Sequence, residues 1–154
     1  MTATKTLLPV LALGILVACA HQHGISASDP VKEVTDVLQR SVAAYERGDF
    51  AGVEATWAHG EEASVYESGE ANYGWTDYRD HHLKPELAEM KNVQYRLDDI
   101  VVRGDATTAW STFKWTFSAD FKGRRVNASG LGTAAIEKRE DGWKIVHWHT
   151  STSH

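Results

Sequence analysis

Apolar positions recur at helical spacing in the first part of the chain and alternate in the last part. Val31, Val34, Leu38, Val42 and Tyr45 fall at i, i+3, i+7, i+11 and i+14, one face of a helix of about four turns. Asp29-Pro30 supplies an N-cap followed by proline at the first helical position, and Gly48 ends the run. Asp49 can cap a second, short helix on which Phe50, Val53 and Trp57 share a face. Ala63 to Tyr66 predicts a short strand, and Glu67-Ser68-Gly69-Glu70 is turn material. Thr76 or Asp77 can cap a third helix reaching Lys91, which Pro85 should kink or break near Leu83.

Beyond Lys91 the period becomes two. Residues 92–103, 106–121, 124–138 and 143–151 are predicted strands, separated by hairpin turns at Gly104-Asp105, Lys122-Gly123 and Glu140-Asp141-Gly142. Within 109–117, Ser111, Phe113, Trp115 and Phe117 share one face, while Trp110, Thr112, Lys114 and Thr116 share the other. Helices followed by antiparallel strands make an α+β fold, with the three N-terminal helices packed on one face of a curved, mostly antiparallel sheet. The 154 residues suit one domain, assigned to 30–154. Apolar content of 42% and charged content of 24% exclude a disordered chain. The net charge of −5, with no basic stripe, excludes nucleic acid as a partner.

The N-terminus looks like an address. Lys5 precedes an uncharged stretch from Leu7 to Ala20, 14 residues long, short of the ~20 that span a bilayer. Residues 1–18 are therefore expected to be a signal peptide. Leu16-Val17-Ala18-Cys19 resembles the lipobox of bacterial lipoproteins, which implies cleavage before Cys19, lipidation of its thiol and a lipid anchor at the periplasm-facing cell envelope. Ordinary secretion, with cleavage after Ala20, is the alternative. Cys19 is the sole cysteine, so the lipoprotein reading leaves no thiol for chemistry in the folded domain. Residues 19–29 are expected to form a flexible tether.

The order of elements resembles the cone-shaped roll of the nuclear transport factor two-like superfamily, and within it the SnoaL-like family. The carriers are Ala44-Tyr45-Glu46-Arg47-Gly48-Asp49-Phe50, Gly74, Gly104-Asp105, and Asp141-Gly142-Trp143-Lys144-Ile145-Val146 leading to His149-Thr150-Ser151. Folds of this type host isomerases, cyclases, dehydratases and binding domains, so the resemblance alone does not select an activity. It implies that Trp57, Tyr66, Tyr73, Trp75, Phe113 and Trp115 line the cone, where they would suit a small apolar or amphipathic molecule. It also puts Glu67 at the general-base position of the steroid isomerases of this fold. A buried carboxylate there would have a raised pKa and could shuttle a proton. The isomerase's enolate-stabilising positions are occupied here by Ser41 and, nearby, Thr133, which argues against steroid isomerisation.

Strand parity supplies the remaining candidates. If Trp143 and Ile145 point inward, strict alternation sends His147, His149 and Ser151 inward too, with the two imidazoles ~7 Å apart. His81 and His82 add imidazoles from the third helix. Three functions remain open. The first is a binding domain with no cofactor. The second is an isomerase- or hydratase-like enzyme pairing Glu67 with His147 or His149. The third is a divalent metal site built from His147, His149 and His82 (or His81), with Glu67 or Asp80 able to complete the set. Outward Trp110 and Trp148 would support a homodimer through the sheet.

Overall fold

The structure, a computed structural model, describes residues 29–153. The expected signal segment 1–18, Cys19 and the tether as far as residue 28 lie outside the described residues. Among those described, no helix is long and apolar enough to cross a membrane.

Helix α1 spans Pro30–Glu46. The Asp29 carboxylate accepts the Val31 N–H at 3.0 Å, satisfying one of the first-turn donors that a helix leaves unpaired. Val34, Leu38, Val42 and Tyr45 are buried as expected, and Val37, Ser41 and Ala44 widen the stripe. Val31 is the exception at 51% exposed. Gly48 adopts φ +66°, the left-handed conformation that ends the helix at little steric cost. Helix α2 spans Phe50–Glu54, and Asp49 accepts the Gly52 N–H at 2.9 Å.

The third helical stretch is broken, as Pro85 requires, but through a π-helical turn. Helix α3 covers Trp75–Tyr78, the π turn Arg79–Leu83, and helix α4 Lys84–Glu89. Proline offers no N–H and crowds the carbonyl four residues back, so the ladder widens just upstream. Neither Thr76 nor Asp77 caps α3, whose N-cap is Gly74. Asp77 lies inside the first turn, where its carboxylate accepts the Tyr73 N–H at 3.1 Å.

Six strands form one sheet in the order β2-β1-β6-β5-β4-β3. Strands β1 (Ser64–Glu67) and β2 (Glu70–Tyr73) make a hairpin around Ser68-Gly69. The four long strands β3 (Lys91–Gly104), β4 (Thr108–Phe121), β5 (Arg124–Arg139) and β6 (Gly142–Thr152) pair antiparallel, and β1 joins β6 in parallel. The architecture is the α+β roll expected, with helices against the concave face of a curved sheet. That face is made by large residues on β4 opposite small ones on β5: Phe113 pairs with Gly132 and Trp115 with Gly130. A Cβ on Gly132 would overlap the Phe113 ring. The small residues leave the aromatic rings room to lie across the sheet.

Strand β6 carries the decisive irregularity. Its register against β5 shifts between Ala135 and Ile136, so that Ile145 faces Ile136 but His147 faces Ala135, and Val146 is the extra residue of a β-bulge. The bulge lies where β6 changes its other neighbour. Ile145 exchanges backbone bonds with the segment leaving α2, through Ala58 N–H to Ile145 O at 3.0 Å and Ile145 N–H to Thr56 O at 2.9 Å. His147 then begins the pairing with β1. One inserted residue reverses parity for the rest of the strand.

Candidate functional site

Between the concave face and the helices lies a cavity of about 220 Å³. Seven aromatic residues line it: Tyr45 from α1, Trp57 from beyond α2, Tyr78 from α3, Tyr95 from β3, Trp115 and Phe117 from β4, and Trp148 from β6. Tyr45, Tyr95 and Phe117 pack edge to face, with centroids 5.8, 6.2 and 5.5 Å apart. Two carboxylates, Glu67 at the end of β1 and Glu86 on α4, open onto the same space. Among the described residues no lysine or arginine lines it.

His82, in the π turn, stands behind the two carboxylates. Its Nε2 lies 3.4 Å from Glu86 Oε2 and 3.7 Å from Glu67 Oε2. Its other nitrogen is fixed by a chain of bonds with one possible direction. The Asp77 carboxylate only accepts, so the Asn72 amide nitrogen donates to it at 3.0 Å. The Asn72 oxygen then faces His82 Nδ1 at 2.9 Å, and Nδ1 must carry the hydrogen. Nε2 is left for the carboxylates. Tyr45 donates its hydroxyl to Glu86 Oε2 at 2.6 Å, leaving Glu67 the less engaged of the two acids.

Electrostatics follow from this packing. Burial pushes the Glu67 carboxyl above the usual carboxylate range and the charge of Glu86 adds to it, while His82 and a hydrogen bond from Thr150 pull back. Burial alone would lower His82, but its hydrogen bond and charge contact with Glu86, then the charge of Glu67, outweigh it and the net shift is upward. Burial raises the hydroxyls of Tyr78 and Tyr95 well above the ordinary tyrosine value, keeping both as neutral donors.

The SnoaL-like domain profile matches residues 34–153. This chain belongs to that family. No curated protein matches it. Among solved structures, a nuclear transport factor 2-like superfamily protein from Salmonella enterica superposes with a TM-score of 0.74 at 20% identity, over 80% of this chain and 90% of the other. A candidate dehydratase from Streptomyces avermitilis gives 0.73 at 22% identity, over 80% and 96%. A candidate ketosteroid isomerase from Shewanella frigidimarina gives 0.64 at 26% identity, over 75% and 92%. The SnoaL-like assignment fixes the cone fold and its interior cavity; the residues in that cavity are this chain's own.

Of the residues expected at the site from sequence, Glu67, Trp57 and Trp115 line the cavity, and His82 backs it. The inward placement of His147, His149 and Ser151 is corrected: the bulge at Val146 turns all three to the convex face and turns Trp148, Thr150 and Thr152 inward. Trp148 is therefore also corrected, from an outward residue to a buried one. On the convex side His147 Nδ1 shares a 2.8 Å hydrogen bond with Ser64, and the Tyr66 ring lies 5.1 Å from His147 and 6.3 Å from His149. Tyr66 and Tyr73 lean on each other there, centroids 5.9 Å apart, and do not line the cone. Trp75 and Phe113 are buried but stay off the cavity wall, Trp75 stacked on His59 and Phe113 against Trp148. His81 is exposed and bonded to Asp77. The metal set of His82, His147 and His149 is divided between opposite faces of the sheet. Among the described residues no group of three or more His, Cys, Asp or Glu is disposed to hold a metal ion.

Glu86, Tyr78, Tyr95 and Trp148 were not anticipated. A signal for two of them was present: Tyr78, His82 and Glu86 stand four residues apart in sequence, the spacing of one helical face.

Proposed function

We propose that the SnoaL-like cavity is a proton-transfer site of the isomerase or dehydratase class, in which Glu67 takes a proton from the substrate and returns it. The observation that carries this reading is the placement of Glu67 on the wall of an apolar cavity, beside a second carboxylate and an imidazole whose tautomer is fixed. Burial raises the basicity of Glu67, which is what a base working near neutral pH requires. Tyr78 and Tyr95, which line the same wall and whose hydroxyls burial keeps protonated, can substitute for the acids missing at Ser41 and Thr133.

The Glu67 carboxylate removes a proton from a carbon next to a carbonyl, and the C–H electron pair moves to the carbonyl oxygen as an enolate. The tyrosine hydroxyls donate hydrogen bonds to that oxygen. Protonated Glu67 then delivers the proton to another carbon, which is isomerisation, or to a departing hydroxide, which is dehydration. A cavity of ~150 Å³ holds benzene, so about 220 Å³ suits one substituted ring and not a four-ring steroid. The test is exchange of the acidic C–H of monocyclic ketones in heavy water, followed by proton NMR. Glu67→Gln should slow it by ~10²-fold or more. Binding of those ketones with no exchange above the uncatalysed rate would reduce the site to a binding cavity.

The same proposal includes an address and an assembly. The uncharged stretch before Cys19 and the solitary thiol support a lipid-anchored envelope protein; Cys19→Ala should abolish incorporation of labelled fatty acid. Trp110 at 48% and Leu131 at 61% exposure on the convex face support a homodimer through the sheet. Sedimentation equilibrium of Trp110→Asp, expected to be monomeric, tests it.

A further inference from the structure

The charge balance of the cavity bears on its occupant independently of the proton-transfer reading. Glu67 and Glu86 are two carboxylates against one imidazole, His82. With all three ionised, one negative charge stays uncompensated at the wall of an apolar space, where an unpaired charge is costly. A proton on Glu67 would relieve this, and the pKa of Glu67 moves in that direction. No lysine or arginine among the described residues lines the cavity to do so instead. Tyr78, Tyr95, Trp115 and Trp148 line the same cavity, and aromatic ring faces carry negative potential that attracts cations.

We propose that this cavity binds a small organic cation, an amine or alkylammonium on an apolar body of about one ring, with Glu67 pairing the charge and the aromatic wall surrounding it. An anion would meet two carboxylates and no positive group on the cavity wall. A neutral molecule would fill the space but leave the charge imbalance as it is.

Three probes of one skeleton separate these cases on the full chain: 2-phenylethylammonium, 2-phenylethanol and phenylacetate. Binding is read by calorimetry and by NMR shifts of the Trp57, Trp115 and Trp148 indoles. The expected result is that the ammonium binds at least about 10-fold more tightly than the alcohol, with phenylacetate weakest. In the Glu67→Gln, Glu86→Gln double variant the ammonium should lose about 10-fold or more while the alcohol stays within about twofold. Equal binding of ammonium and alcohol, tighter binding of phenylacetate, or no binding of any probe by the wild type would each overturn the proposal. The wild-type comparison needs no variant to fold. Failure of ketone exchange leaves this result untouched, and a lost preference for the cation leaves the exchange result untouched.

Discussion

The two faces of the sheet carry similar residues in different surroundings. On the concave side His82 meets Glu67 and Glu86, and the carboxylates carry its pKa upward against burial. On the convex side His147 meets Ser64, Tyr66 and His149; burial first, and the neighbouring imidazole second, move its pKa downward. What separates these outcomes is which neighbours the backbone supplies, and on β6 that was decided by one inserted residue. Without the bulge at Val146, His147 would have faced the cavity and Trp148 the solvent. A pair of histidines two apart on a strand is therefore not a site until the parity of that strand is known.

The largest test of that contrast compares adjacent positions on β6. Trp148 is 6% exposed and packs on Phe113 with centroids 4.8 Å apart. Trp148→Ala should cost about 3–5 kcal/mol in chemical denaturation, the range for a large buried aromatic. His149→Ala, on the opposite face, should stay within about 0.5 kcal/mol. Comparable losses at both positions would mean that the parity has been assigned wrongly.

A smaller contrast lies on β5. Gly132 faces the core under the Phe113 ring, and its neighbour Leu131 faces solvent. Gly132→Ala should destabilise by about 1–3 kcal/mol through overpacking. Leu131→Ala should leave monomer stability nearly unchanged and weaken any dimer formed through the sheet. A neutral or stabilising Gly132→Ala would show that Phe113 can move aside.

Much of this architecture was legible in the residues. The Asp29 cap, the apolar stripe of α1 and the hairpin glycines are local signals, and each acts within a few residues of itself. Glu67 was legible through the resemblance to the steroid isomerases of this fold, whose general base follows the same short strand after the second helix. Parity after Val146 was not legible. The bulge arises where β6 exchanges the segment 56–58 for β1 as its neighbour, and that contact joins parts of the chain nearly ninety residues apart. Pro85 announced a break, yet only the packed structure shows that it takes the form of a π turn presenting His82 to both carboxylates. Tyr78 and Glu86 could have been found from their spacing to His82. Tyr95 could not, because its part in the site depends on how β3 curves over α1.

Solution pH offers a finer way to separate the faces. His82 has a raised folded-state pKa, so its contribution to stability is complete below the ordinary histidine value of about 6.5 and is lost as pH rises through the folded value. His147 is lowered, so its contribution is complete above that ordinary value and is lost as pH falls through its own folded value. Glu67, a raised acid, acts in the same direction as His82. NMR titration should find His82 half-protonated at a higher pH than His147, and Glu67→Gln should move His82 downward with no effect on His147. The reverse order of the two histidines would remove the electrostatic distinction between the faces.

The smallest effect concerns a single proton. The Asp77 carboxylate orients the Asn72 amide, and the amide oxygen holds the hydrogen on His82 Nδ1. Asn72→Leu takes away that acceptor while leaving both carboxylates on the other side of the ring. Above its folded pKa, neutral His82 would then gain more by placing its hydrogen on Nε2, where Glu86 can accept it. Nitrogen-15 shifts of the ring should report protonated Nδ1 in the wild type and a mixture or reversal in Asn72→Leu, with global stability lower by about 1–2 kcal/mol at most. A tautomer unchanged by the substitution would mean that the Asn72 oxygen is not what holds the hydrogen on Nδ1, and that the pull of Glu86 on Nε2 is weaker than the 3.4 Å approach implies.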